Sequence, residues 1–228
     1  MVNTVGSCKT NKFWNKKWIP IKQSLVLTQK QKELIMGSLL GDGTMRLGKG
    51  AKNANFKVEH GLLQKDYVFW KYHKLKKFVF TEPRISFRYE ENGVKYPKSW
   101  WFRTIRHPEL TEIFNLFYKG NGFLTGKKII PVSLEEFFTP LALAVWIMDD
   151  GSFNKKRIDI STYAFSFQEI QKLRSVLRGI YKINSSFYKD RSKGYRLYFN
   201  RKETEILIQL IHPYIIPSMR YKIGFTTP

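Results

Sequence analysis

Leu34-Ile35-Met36-Gly37-Ser38-Leu39-Leu40-Gly41-Asp42-Gly43 and, roughly half a chain later, Leu141-Ala142-Leu143-Ala144-Val145-Trp146-Ile147-Met148-Asp149-Asp150-Gly151 are two apolar runs with the same ending, Asp-Gly. Both are too short for a membrane span, which takes about 20 apolar residues. Each follows a helix start signal. Thr28 to Gln31 reads as a capping box, and Thr139-Pro140 as an N-cap followed by proline at the first helical position. Gly43 and Gly151 suit a left-handed stop. Gly37 and Gly41, four apart, and Ala142 and Ala144 give each helix a small face along which another backbone can approach. Packing on those faces brings Asp42 and Asp150 to one end of the pair. A carboxylate at a helix C-terminus opposes the dipole, and two carboxylates brought together repel. A cation relieves both effects, and Mg²⁺ takes oxygen ligands while keeping waters for chemistry.

Composition says what such a pair would serve. The 228 residues suffice for one or two domains with a real core, and 43% hydrophobic with 16% aromatic residues marks a globular chain. Lys plus Arg number 40 against 18 acids, a net charge of +22, which calls for a polyanionic partner, nucleic acid before an anionic membrane. The charges fall on strand faces and turns, unlike an amphipathic membrane-surface helix. Lys9, Lys12, Lys16 and Lys17 interrupt any signal-peptide core. The single cysteine, Cys8, excludes internal disulfides, and His60, His73, His107 and His212 show no metal-ligand spacing.

Between the runs the pattern alternates. Phe56, Val58 and His60 oppose Asn55, Lys57 and Glu59, a half-buried strand. Asp66 to Phe80 carries a helical stripe, Val68, Tyr72, Leu75 and Val79. Arg84 to Glu90 alternates again, Glu91-Asn92-Gly93 is a hairpin turn, Ser99 to Arg106 returns, and Pro108 opens a helix. Gly43 to Asn53 reads as a basic loop or hairpin tip. After Tyr118 the order repeats: strand Arg157 to Thr162, capping box Ser166 to Glu169, helix, strands Ser185 to Asp190 and Tyr195 to Asn200, and a helix from Glu203. The halves even end alike, Lys128-Ile129-Ile130-Pro131 and Tyr214-Ile215-Ile216-Pro217. The expectation is an α+β protein of two pseudo-two-fold αββαββα halves. Residues 1–27 form a basic extension, 28–118 the first half, 119–138 a linker and 139–228 the second half.

One face of each sheet then carries Lys57, Glu59, Arg88, Arg103, Arg157, Asp159, Arg196 and Tyr198, side chains able to reach base edges from a β-ribbon in a major groove, and Lys189 joins them as a candidate DNA contact. Arg46, Lys49, Asn154, Lys155, Arg191 and Lys193 sit at the tips. Flanking lysines would hold phosphates.

The doubled run resembles the signature of the LAGLIDADG homing endonucleases, in the single-chain form with two copies. Ile35 to Gly43 and Leu143 to Gly151 cover the nine-residue motif; the terminal Asp-Gly matches best, while Ser38, Leu40, Val145, Trp146 and Met148 depart from it. The resemblance implies two saddle-shaped antiparallel sheets straddling a long double-stranded DNA site, with cuts across the minor groove that leave 3′ overhangs. It implies two or three Mg²⁺ ions, one shared between two cutting centres, with Mn²⁺ or Ca²⁺ able to substitute in binding. Asp42 and Asp150, with Gly41 and Asp149 beside them, would be the metal set. Lys128 and Lys222 look like the lysine that members place near each acid, with Lys127 a rival for Lys128. Glu59 and Ser161 hold corresponding strand positions and would orient water. The expected protein is a monomer with no obligate protein partner and no membrane, working in an organelle or a prokaryotic cytoplasm. The alternative is an RNA maturase or a non-cleaving binder of the same fold, against which the retained acid pair argues.

Overall fold

In the computed structural model, which describes residues 19–91, 93–119 and 127–225, the first run forms α1 (Gln29–Leu40). The Thr28 hydroxyl accepts from the Gln31 amide and the Gln31 side chain accepts in return from the Thr28 amide, so the helix begins at its capping box. Then follow β1 (Thr44–Arg46), β2 (Asn55–Gly61), α2 (Lys65–Leu75), β3 (Arg84–Tyr89), β4 (Lys95–Arg103) and α3 (Pro108–Phe117). A short ladder, β5 (Tyr118–Lys119) with β6 (Lys127–Lys128), precedes α4 (Pro140–Asp150). The order then recurs as β7 (Gly151–Asn154), β8 (Arg157–Ser161), α5 (Phe167–Tyr181), β9 (Ser186–Asp190), β10 (Gly194–Phe199) and α6 (Arg201–Ile211), closing on a 3₁₀ turn, Pro217–Ile223. The α+β expectation holds. β1 occupies part of the segment read from sequence as a loop.

The sheets are antiparallel, ordered β1-β2-β4-β3 and β7-β8-β10-β9. In β2 the alternation reads directly as burial: Phe56, Val58 and His60 point into the helices and Lys57 and Glu59 point out. Ile158 and Ile160 do the same in β8. α4 is buried from Ala142 through Asp149, including all of Trp146. A helix that is apolar all round has no solvent face to offer and must lie inside the core.

α1 and α4 pack against each other through their small residues. A Cβ added at Gly37 would come within 2.3 Å of the Ala142 carbonyl oxygen, and one at Gly41 within 2.5 Å of the Asp149 Cβ. The other two glycines act differently from expectation. Gly151 has φ −73°, and Gly43 is not among the positive-φ residues, so neither is a left-handed stop. They are needed for room: a Cβ would lie 2.7 Å from the Ser38 oxygen at Gly43 and 2.4 Å from the Ile147 oxygen at Gly151. Each chain leaves its helix by folding back tightly over the last turn, which only a missing side chain permits.

The described part of the basic extension docks on the first half. Residues 19–23 are helical rather than irregular. The Leu27 amide donates to Glu109 (2.8 Å), and His107 Nε2 lies 2.9 Å from the Lys22 oxygen, tying the segment to the start of α3. Trp14 and Trp18, Asn92 of the expected turn, and Gly120, Gly122 and Gly126 of the expected linker lie outside the described residues. Among the described residues no helix is long and apolar enough to cross a membrane.

Candidate active site

The two Asp-Gly ends come together because α1 and α4 pack. Asp42 follows the C-cap of α1, and its backbone amide lies 3.3 Å from Asp149 Oδ2; Asp150 is the last residue of α4. A lysine sits at each end. Lys128 Nζ donates to the carbonyls of Gly41 (2.7 Å) and Gly43 (3.0 Å), the two that flank Asp42. Lys222 Nζ donates to the carbonyls of Asp149 (3.2 Å) and Gly151 (2.8 Å), the two that flank Asp150. The two arrangements repeat each other. Each ammonium satisfies carbonyls at the turn leaving a signature helix and offsets the negative end of its dipole.

The acids differ in state. Burial raises the Asp150 carboxyl, the Asp42 and Asp149 charges raise it further, and it reaches about 8 although Lys128 and Lys222 oppose the rise. The Asp150 side chain has no hydrogen-bond partner among the described residues. Burial also pushes Asp42 up, but the His60 ring beside it, with the charges of Lys71 and Lys222, takes it below the ordinary value.

The sign for stability follows. A carboxyl whose folded pKa exceeds its unfolded one binds its proton more tightly when folded, so its contribution is lost as pH rises through the folded value. Asp42 and Glu59 are shifted the other way, Glu59 to about 2, so their contributions fall away only in acid. The metal-free protein should therefore lose melting temperature as pH rises from about 5.5 to about 8.5, and Asp150→Asn should flatten that slope. A slope that Asp150→Asn leaves unchanged in calorimetry would contradict the raised Asp150, because the lowered Lys71, Lys128 and Lys222 act in the opposite sense in both proteins.

The Asp149 carboxylate reaches from the Asp42 amide, which meets Oδ2, into the core behind it. The side chain is fully buried, with Oδ1 2.7 Å from Lys71 Nζ and 2.7 Å from Tyr67 Oη, and Lys71 is buried as completely. The Asp149 carboxylate is taken up in this ion pair, while its backbone carbonyl accepts from Lys222. Removing one partner of such a buried pair costs about 3–5 kcal/mol because the other charge stays behind. Burial pulls the Lys71 ammonium down while Asp149 holds it up. Among the described residues no three His, Cys, Asp or Glu form a self-sufficient cage. What the site offers is two carboxyl groups at one end of the helix pair, one of them lifted to about 8, beside backbone carbonyls. Such an all-oxygen donor set fits a hard divalent cation that keeps most of its waters.

The outer sheet faces carry most of the expected polar residues. Lys57 pairs with Arg103, and Glu59 with Trp101. Glu59 accepts from Lys57, Ser99 and Ser86. A bulge in β4 turns both Lys98 and Ser99 toward Glu59 and keeps Arg88 in the row of Arg84 and Ser86. In the second sheet Arg157 forks onto Asp159 (2.9 and 3.0 Å) and lies over the rings of Tyr198 and Tyr188. Arg196 donates to Ser152 (2.9 Å), Ser161 (3.1 Å) and Tyr163 (3.2 Å). Arg46 ends β1. Asn154 and Lys155 begin the tight turn to Arg157, where Lys155 and Lys156 both have positive φ, as a type I′ hairpin requires. Arg191 and Lys193 lie in the turn between Asp190 and Gly194.

Lys189, the remaining candidate contact, lies on the other face. It pairs with Tyr195, whose ring and that of Phe187 meet Phe167 of α5, so it belongs to the helix-bearing side. A shift of one residue exchanges the faces of a strand, and Tyr188 takes the outer place. Sequence reasoning also missed Tyr67, Lys71 and Tyr163. One signal for Lys71 was available: it sits at stripe spacing between Val68 and Leu75, where a lysine needs a buried partner.

Residues 32–207 match the family model described as the LAGLIDADG DNA endonuclease family. The chain belongs to this family. It is 32% identical over 202 residues to a cytochrome b mRNA maturase, bI2, of Debaryomyces hansenii (87% of this chain, 75% of the relative). It is also 32% identical over 209 residues to the DNA endonuclease I-ChuI of Chlamydomonas applanata (87% and 96%). Among solved structures it resembles the homing endonuclease I-WcaI bound to its DNA recognition sequence, with a TM-score of 0.82 and 26% identity over 97% of this chain and 96% of that one.

Proposed function

We propose that this chain is a site-specific DNA endonuclease that carries two signature copies in one molecule, 28–118 and 139–228, and makes a double-strand break with 3′ overhangs. The observation that carries the reading is the pair of acids at the ends of two packed helices, each flanked by carbonyls that a lysine grips. Asp42 and Asp150, with the carbonyls of Gly41 and Asp149, would hold Mg²⁺. Bound there, the metal supplies an activated water and screens charge on the phosphate under attack.

The chain's own residues do the rest. Asp150, raised to about 8, gives up its proton when it becomes a ligand. Lys128 and Lys222 fix the turns that aim the acids, and each keeps a cation beside the phosphate, where negative charge develops. Glu59 and Ser161 occupy corresponding places: Thr44 pairs with Lys57 as Ser152 pairs with Asp159, two residues on in each strand. From there they face the cut and orient water. The outer sheet faces read bases in a major groove, and the remaining basic surface holds phosphates. The protein acts as a monomer on double-stranded DNA inside a cell, in an organelle or a prokaryotic cytoplasm. Incubating it and Mg²⁺ with a randomised duplex library and sequencing the ends tests this; the absence of any recurrent cut would refute it.

The similarity to cytochrome b mRNA maturases favours RNA binding as the second reading. A chain that only binds RNA has no use for two acids held at unfavourable helix ends.

Reading and cutting should separate. Arg88 lies on the outer face of one sheet and Arg196 of the other. Losing a bidentate base contact costs about 1–3 kcal/mol of discrimination. Arg88→Ala should relax preference at a position or two in one half-site and Arg196→Ala in the other, while Lys222→Ala slows cleavage with preference unchanged. Cleavage profiles over all single-base variants decide. Uniform weakening by Arg88→Ala on every variant would make it a phosphate contact.

A further inference from the structure

The ion pair behind the acids exists on one side only. The pairing of Thr44 with Lys57 and of Ser152 with Asp159 sets the two halves in register, so His60 corresponds to Thr162 and Gly41 to Asp149. Eight residues beyond His60 and Thr162, α2 and α5 bury stripes at the same spacing, Val68, Lys71, Leu75 and Ile170, Leu173, Leu177. Lys71 therefore stands where the second half has a leucine. Lys71, Asp149 and His60 thus have Leu173, Gly41 and Thr162 as counterparts, none of them charged.

The cluster is directional. Lys71 Nζ donates to Asp149 Oδ1 (2.7 Å) and lies 3.2 Å from His60 Nε2. An ammonium has only protons to offer. Nε2 must accept, which leaves the ring proton on Nδ1. Nδ1 is buried, has no hydrogen-bond partner among the described residues, and lies 3.4 Å from Asp42 Oδ2, the carboxylate toward which its proton would point. A carboxylate's orientation is set by the donor behind it, as imidazoles and carboxylates around metals are set by their outer partners.

We propose that Lys71 and His60 are positioning residues for Asp42: Lys71, anchored by Asp149, fixes the Nδ1–H tautomer of His60, which holds the Asp42 carboxylate in one orientation, and because the second half lacks the device the two cutting centres are unequal. The inference rests on the nuclease reading.

Two measurements test it. In the metal-free protein, long-range ¹H–¹⁵N correlation of the His60 ring should report the Nδ1–H tautomer. The pair Lys71→Leu with Asp149→Gly removes both charges together, so no lone buried charge is left, and should release the ring to a mixture of the two tautomers. An Nε2–H ring in the unaltered protein overturns the relay. The second measurement is strand-resolved nicking of a duplex labelled on each strand. His60→Thr should slow cutting of one strand about 10–100-fold, the usual cost of losing an outer partner, and leave the other within a factor of about two. His60→Asn, which restores an N–H near the same place, should recover most of the loss. Equal slowing of both strands, as partial unfolding would give, overturns the positioning role. If the unaltered protein cuts neither strand, it is the nuclease reading that fails, and the tautomer still decides the relay.

Discussion

Asp42→Asn and Asp150→Asn should each leave a protein that binds its DNA and makes no double-strand break. Asparagine keeps the shape and removes the charge, so it tests ligation more than packing. Asp42 is partly open to solvent and asparagine keeps an oxygen for the His60 ring, while Asp150 has no hydrogen bond to lose among the described residues. Asp150→Asn even removes a carboxyl that burial first, and the Asp42 and Asp149 charges second, lift to about 8. The expected loss of double-strand cleavage is about 10³-fold or more, equivalent to roughly 4 kcal/mol of transition-state stabilisation, with DNA affinity largely kept. Cleavage of a linearisable plasmid by Asp42→Asn at a near wild-type rate would remove Asp42 from the site.

Affinity for DNA should collapse with salt. The chain carries 40 Lys and Arg against 18 acids, and several of its basic side chains are already matched: Lys57 and Lys98 to Glu59, Arg157 to Asp159, Lys71 to Asp149. The surplus remains for phosphates. If about 6–10 phosphates are neutralised, binding weakens about 10³–10⁵-fold between about 50 and 200 mM salt, through release of condensed counterions. A logarithmic plot of the association constant against salt gives the number directly. A slope near zero would deprive the net charge of its explanation.

Much of this was readable before any coordinates. Caps at Thr28, Thr139 and Ser166 are local chemistry, and each helix begins where its cap places it. The apolar alternation of β2 and β8 is likewise local, because one face of each must meet the helices. What escaped depends on partners far away in sequence. Nothing near Asp149 says that its carboxylate turns toward Lys71, 78 residues earlier, while its neighbour Asp150 does not. Gly43 and Gly151 advertise a left-handed turn, yet the requirement is clearance over the preceding helical turn. The face of Lys189 was not legible for a third reason: the register of β9 is set by its turn and by Phe187 meeting Phe167, and alternation in an exposed strand carries too little apolar contrast to fix it.

The missing side chain at Gly41 bears on how such chains can be recombined. Asp149 enters the first half through the space that glycine leaves. A fusion of two copies of 139–228 would set aspartate against aspartate at that crossing, and a fusion of two copies of 28–118 would strand Lys71 twice with no counter-charge. Only unlike halves interlock. Chimeras that retain 28–118 and borrow the rest from another family member should express in soluble form when the donor supplies an acid at the Asp149 position, and should sort on that residue before any other at the seam.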